Sequence, residues 1–127
     1  MAHILIVDDN IYFARLVESQ LTRLGYTVRV MANDEELLDL LHAEHYDLLI
    51  MELLLQGQDG ISVLRSIRCS PFSFLKVLIV THRTGHVEQL RVAEYEADFL
   101  SKPVDLYQLL ETVTNILKRD SRAVIGL

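Results

Sequence analysis

The chain has 127 residues, one domain's worth, and half are hydrophobic, enough for a sizeable core. A net charge of -6 with scattered Lys and Arg excludes the basic patch that a nucleic-acid partner needs. No segment has the apolar length of a membrane span, and the short run in "MAHILIVDDN" stops at two aspartates, which excludes a signal peptide, so a cytoplasmic protein with no membrane contact is expected.

Apolar runs then alternate with helical spacing. "HILIV" (3–7) is a run of strand formers. "NIYFARLVESQLTRLG" (10–25) carries Ala14, Val17, Leu21 and Leu24 at helical spacing and stops at Gly25. "YTVRVM" (26–31) alternates like a strand. "NDEELLDLLHAEH" (33–45) opens on Asn33 with Glu36 three residues on, which predicts a capping box. "DLLIM" (47–51) predicts a buried strand, and "DGISVLRSIR" (59–68) a short helix with Ile61, Leu64 and Ile67 on one side. "FLKVLIV" (74–80) is the next strand, "GHVEQLRVAEYE" (85–96) a weaker helix, and "ADFLS" (97–101) a short strand. "DLYQLLETVTNILKR" (105–119) is strongly amphipathic, with Leu106, Leu110, Val113 and Leu117 in register. The domain is expected over residues 1–120, with 121–127 as a short tail. Cys69, the one cysteine, cannot form an internal disulfide and is expected half-buried at a helix end.

Five β-α units in series predict an α/β fold. Strands this short and apolar suit a parallel sheet covered on both faces, doubly wound by right-handed crossovers. Ligands of such folds sit outside the carboxyl ends of the strands. There the chain places Asp8 and Asp9 after the first strand, Glu52 after the third, Thr81 after the fourth, and Lys102 with Pro103 after the fifth. Any one of these suits an ordinary cap or loop. Their joint occurrence at one sheet edge points to a site.

These motifs resemble the receiver domain of two-component response regulators. "ILIVDDN" matches the acidic pair, "LLLQGQDG" the loop after the third strand, "VLIVT" the hydroxyl-bearing fourth strand, and "DFLSKPVD" the lysine-proline motif. The resemblance implies a flavodoxin-like, CheY-like sheet in order 2-1-3-4-5. It implies that Asp8 and Asp9 help hold Mg²⁺, that Thr81 bonds a phosphoryl oxygen, and that Lys102 pairs with the phosphoryl group. It also implies that Phe99 turns inward or outward with the signalling state. Phosphoryl transfer needs such a metal and fixed cations to gather charge on the equatorial oxygens.

The position matching the phosphoacceptor aspartate holds Glu52. Its extra methylene moves the carboxylate by roughly 1.5 Å, and a misplacement near 1 Å costs about 100-fold in rate. His82, next to Thr81, is placed to shade the pocket; Leu54 offers no polar help to a donor, and Gln56 replaces a common proline. Asp47 lies roughly 16 Å back along its strand at the wrong end of the sheet, and Asp59 is expected to cap the third helix. Glu52 is long enough to reach Lys102 or Thr81 without phosphate, which would imitate part of the activated state; the alternative is a domain fixed in an inactive-like state, and the sequence leaves both open. Mg²⁺ is expected to bind weakly or not at all, with Lys102 as the counter-ion to the carboxylates instead.

His82 with His86, and His42 with His45, have spacings that can bind zinc but lack an evident third ligand. The resemblance puts a partner surface, for a histidine kinase, an effector or a second copy, around Val87, Arg91, Phe99, Val104 and Tyr107. The expected function is therefore a binding module rather than an enzyme: a pseudo-receiver that acts by protein-protein contact without phosphate control. Two alternatives stay open. One is a working receiver phosphorylated at Glu52 with Mg²⁺; the other is a small-molecule binder that has reused the acidic crevice. With no output domain in the sequence, action by docking on another protein is expected.

Overall fold

The computed structural model describes residues 2–56 and 58–119. Five parallel strands form the main sheet: β1 (His3–Val7), β2 (Thr27–Met31), β3 (Leu48–Met51), β4 (Lys76–Thr81) and β5 (Asp98–Ser101). Five helices connect or follow them: α1 (Ile11–Arg23), α2 (Leu37–Ala43), α3 (Gly60–Arg68), α4 (His86–Glu94) and α5 (Leu106–Lys118). The strand order is 2-1-3-4-5, a doubly wound flavodoxin-like sheet. The tail at 121–127 lies outside the described residues.

Strand periodicity divides the core in two. Ile4, Ile6, Leu48, Ile50, Leu78 and Val80 face α1 and α5. Leu5, Val7, Leu49, Met51, Val77 and Ile79 face the layer containing α2, α3 and α4. Alternate residues of one strand thus serve opposite layers, which is why β1, β3 and β4 read as unbroken apolar runs. The edge strand β2 leaves Thr27 and Arg29 exposed, and so alternates.

Several local expectations are corrected. The capping box at Asn33 and Glu36 does not form: α2 starts at Leu37, its N-cap Glu36 makes no side-chain cap, and Asn33 Oδ1 accepts from the Glu35 N–H instead. On α5 the buried stripe is Leu109, Val113 and Ile116; Leu106, Leu110 and Leu117 flank it half-buried. Leu24, in register on paper, lies beyond the last turn of α1 and is 54% exposed. Cys69 closes α3 as expected but is exposed. Residues 54–55 and 58–59 pair antiparallel in a short ribbon that the sequence did not announce.

Candidate functional site

The ladder of the sheet continues one residue past the strand ends and fixes the site's backbone. Asp8 N–H donates to Met31 O at 3.0 Å, Glu52 N–H to Val7 O at 3.1 Å, and Lys102 N–H to Thr81 O at 2.8 Å. Main-chain bonds thus bring residues from β1, β3 and β5 to one edge before any side chain contributes. The sheet places Thr81 at the end of β4, opposite Ser101.

The side chains then close on one cation. Lys102 Nζ donates to Asp8 Oδ2 at 2.8 Å and to Glu52 Oε1 at 3.1 Å. All three side chains are buried, with exposures of 6%, 3% and 4%. The second Glu52 oxygen, Oε2, accepts from the N–H groups of Leu53 at 2.7 Å and Leu54 at 3.1 Å. Asp8 Oδ1 accepts from Asn10 N–H at 2.8 Å. A buried carboxylate is tolerated when its oxygens meet donors, and charge-assisted bonds of this kind are the strong ones. The ammonium also lies 4.5 Å from the Phe13 ring centroid, within cation–π range.

Two carboxylates share one ammonium, and the balance shows at Asp8. Burial raises its pKa above the ordinary carboxylate value. The Lys102 hydrogen bond, the Asn10 N–H and the Lys102 charge oppose that rise, while the Glu52 charge adds to it.

The other expected residues divide. Thr81 is fully buried, but its hydroxyl oxygen accepts from the Arg83 N–H at 3.1 Å rather than meeting Glu52. Asp9 is exposed, and no side-chain bond joins it to the Lys102 cluster among the described residues. Leu54 is 53% exposed, and His82 is exposed beside the fully buried Thr81. Phe99 is half-buried against the core. On the expected partner surface Val87, Arg91 and Tyr107 are exposed, whereas Val104 is half-buried and packs on the α1–α5 side. Asp47 sits at the amino edge, accepting from His3 N–H at 2.7 Å, and Asp59 caps α3 through Ile61 N–H, both as expected.

Mg²⁺ demands near-octahedral oxygen ligation. Here the Lys102 ammonium bonds both buried carboxylates, and the exposed Asp9 makes no side-chain bond to them. Among the described residues no three His, Cys, Asp or Glu side chains gather for a metal ion. In this arrangement the donors do not fit Mg²⁺, nor does either histidine pair form a site: His42 packs on Phe72 and His45 bonds Asp47.

Four contributing residues were not foreseen from the sequence. Phe13 was legible only as a helix residue, although its place in the first turn after the acidic pair carried a signal. The Leu53 and Leu54 N–H groups belong to a loop whose conformation no residue type announces. Arg83, which approaches Asp59 at 3.6 Å and Glu88 at 3.9 Å, is a lone loop cation in the sequence. Its partners are half-exposed, so each pair contributes little on its own.

No helix among the described residues is long and apolar enough to cross a membrane. The family profile of the response regulator receiver domain matches residues 4–114. The response regulator ArlR of Staphylococcus aureus is 32% identical over 120 residues, covering 94% of this chain and 54% of that protein. The chain therefore spans about half the length of the curated relatives it matches. A crystal structure of a response regulator receiver protein from Pseudomonas putida is 32% identical with a TM-score of 0.85, covering 90% of this chain and 96% of that one. A CheY-like receiver domain protein from Methanospirillum hungatei, at 24% identity, shares the fold with a TM-score of 0.89 over 97% and 98% of the two chains. With the fold, the strand-end residues and these likenesses in agreement, the chain belongs to the response regulator receiver domain family.

Proposed function

We propose that this chain is a pseudo-receiver of two-component signalling, which acts by protein-protein contact without being phosphorylated. The state of the Glu52 carboxylate supports this. To accept a phosphoryl group, a carboxylate oxygen must present a lone pair to an incoming phosphorus atom in line with the leaving group. Glu52 is 3% exposed, one oxygen is held by Lys102, and the other by two N–H groups. Attack would first have to break those bonds in a buried site. The Lys102 ammonium, which a phosphoryl group would need as its partner, is already shared between Glu52 and Asp8.

Glu52 imitates the phosphorylated state only in part. Of the two contacts that the receiver resemblance gives a phosphoryl group, it makes the one to Lys102. Thr81 stays bonded to the Arg83 N–H. The partners are a histidine kinase, a downstream effector or a second copy, docking where Val87, Arg91 and Tyr107 are exposed.

Incubation with acetyl phosphate and Mg²⁺, read by intact mass, tests the reading. The expected result is no added phosphoryl mass on the native chain. A stoichiometric adduct on Glu52 would establish the working-receiver alternative. Glu52→Asp extends the test, because a phosphorylated variant would locate the block in the acceptor side chain alone. An unphosphorylated one would implicate the Lys102 arrangement as well.

A further inference from the structure

A cavity of about 350 Å³ lies between α2 and α3 and shares no residue with the Lys102 cluster. It is lined by Asp34, Glu35, Asp39, the apolar Leu37, Leu38 and Val63, and by Ser62 and Ser66. Asp34 is 9% exposed, and its Oδ1 is buried with no hydrogen-bond partner. Buried polar atoms are nearly always paired, and one left unpaired has lost its hydration without replacement. The Asp34 main chain is already committed, since its carbonyl accepts from Leu37 N–H at 3.1 Å. The unmet demand therefore belongs to the side chain.

We propose that this cavity is a binding site for an organic cation, an ammonium or guanidinium group on an alkyl stem, seated on Asp34. Glu35 and Asp39 are exposed at the same cavity, and neither they nor Asp34 has an ion-pair partner within 4.0 Å among the described residues. The charge excess thus favours a cation. The walls choose which kind. Leu37, Leu38 and Val63 offer apolar surface that suits an alkyl stem and does nothing for a hydrated metal ion. No three carboxylates gather closely enough for a metal among the described residues. Ser66 Oγ donates to Ser62 O at 3.0 Å, which leaves the Ser66 oxygen free to accept from the cation's N–H groups. The volume is at the small end of ligand sites, which run from about 300 to 1,000 Å³. The cation can come from a free amine or from a basic side chain of a partner protein; the chemistry is the same.

Agmatine, which bears both cation types on one stem, is the probe. Titrated into the ¹⁵N-labelled full chain, it is expected to give saturable amide shifts confined to residues 34–39 and 62–66. Asp34→Asn is expected to weaken binding at least tenfold. Ser62→Lys, which tethers an ammonium at the cavity, is expected to abolish agmatine binding and raise the melting temperature. A parallel titration with N-acetylarginine amide separates the sources. Tighter binding of the capped amino acid assigns the site to a partner's side chain, and tighter binding of agmatine assigns it to a free amine. Shifts centred on Asp8, Asp9 and Glu52, shifts reproduced by MgCl₂ at matched ionic strength, or undiminished binding in both variants would overturn the proposal.

Discussion

Lys102 reaches across the sheet to Asp8: Nζ and Oδ2 lie 2.8 Å apart although 94 positions separate the two residues in the chain. The same ammonium holds Glu52 at 3.1 Å. Lys102→Met would leave two buried carboxylates facing each other with only N–H donors for relief. Removing one partner of a buried pair typically costs about 3–5 kcal/mol, and that loss is expected here. Glu52→Gln keeps the shape, the Asp8–Lys102 pair and an oxygen to accept from the loop N–H groups, so about 1 kcal/mol is expected. Urea unfolding of the two variants checks the order. Equal losses would mean that Lys102 is not what balances the cluster.

The raised pKa of Asp8 makes a prediction about pH. Burial is the main cause, and the ordinary value is 3.8. Between that value and the higher folded one, the folded protein keeps a proton that the unfolded chain has released. The unfolded state binds fewer protons there, so the Asp8 contribution to stability falls as pH rises through the window. Asp8→Asn removes the effect and keeps the Lys102–Glu52 pair. The variant's stability relative to wild type should therefore improve as pH climbs through the window, then level off. At Asp47 burial acts upward, but bonds from His3 N–H and His45 and the neighbouring positive charges outweigh it and lower the pKa. That group loses stability as pH falls, equally in both proteins, so it cancels in the difference. Urea melts of the pair from about pH 4 to about pH 8 decide the sign; a variant that loses stability relative to wild type as pH rises contradicts the Asp8 argument.

The sheet and the strand-end cluster were legible because both follow from short-range patterns. Apolar runs of strand length fixed β1, β3 and β4, and a charge at the end of such a run marks the sheet edge. Asp8, Glu52 and Lys102 converge for that reason alone. Asp9 does not join them, because neighbours along a chain project differently and only Asp8 continues the β1 ladder onto Met31. Caps were half legible. Asn10 accepts from Phe13 N–H as its position suggests, whereas Asn33 is diverted into a local turn and α2 starts later than its pattern implies. The stripe of α5 is rotated to Leu109, Val113 and Ile116 since a leucine-rich helix offers two overlapping faces and only packing chooses between them.

Arg68 was invisible in the sequence, because its partners are carbonyls with no residue type. Its guanidinium donates to Tyr95 O at 2.7 Å, Ser73 O at 2.9 Å, Leu75 O at 2.6 Å and Glu96 O at 3.3 Å. One side chain at the end of α3 thus ties the approach to β4 to the approach to β5. Arg68→Ala is expected to destabilise by about 2–4 kcal/mol, since several acceptors lose a charged donor together. Arg68→Lys should recover less than half, because a compact ammonium cannot span acceptors that a planar fork reaches. Chemical denaturation of both variants, with amide exchange at residues 73–76 and 95–98, checks this. Full recovery by lysine would reduce Arg68 to a simple charge.

Gly60 ties the α3 start to the Glu52 loop through lack of bulk. Its N–H donates to Leu53 O at 2.8 Å. A Cβ on Gly60 would fall 2.6 Å from Leu53 Cα, 2.9 Å from Leu53 O and 3.0 Å from Glu52 O. All three are backbone atoms, which cannot swing aside as a side chain can. Gly60→Ala is therefore expected to cost about 1–3 kcal/mol, the range for overpacking. The damage should reach the site, because moving the Leu53 backbone moves an N–H that holds Glu52 Oε2. Gly85→Ala is the matched control. There the added Cβ meets the far end of the Glu88 side chain, whose carboxylate can rotate away, so a loss under about 1 kcal/mol is expected even though Gly85 caps α4. Thermal melts give the two losses, and the Leu53 and Leu54 amide resonances report whether the loop moved. Displaced resonances in Gly60→Ala alone are the expected outcome. Equal losses with unmoved resonances would show that the Glu52 loop yields without disturbing the carboxylate it holds.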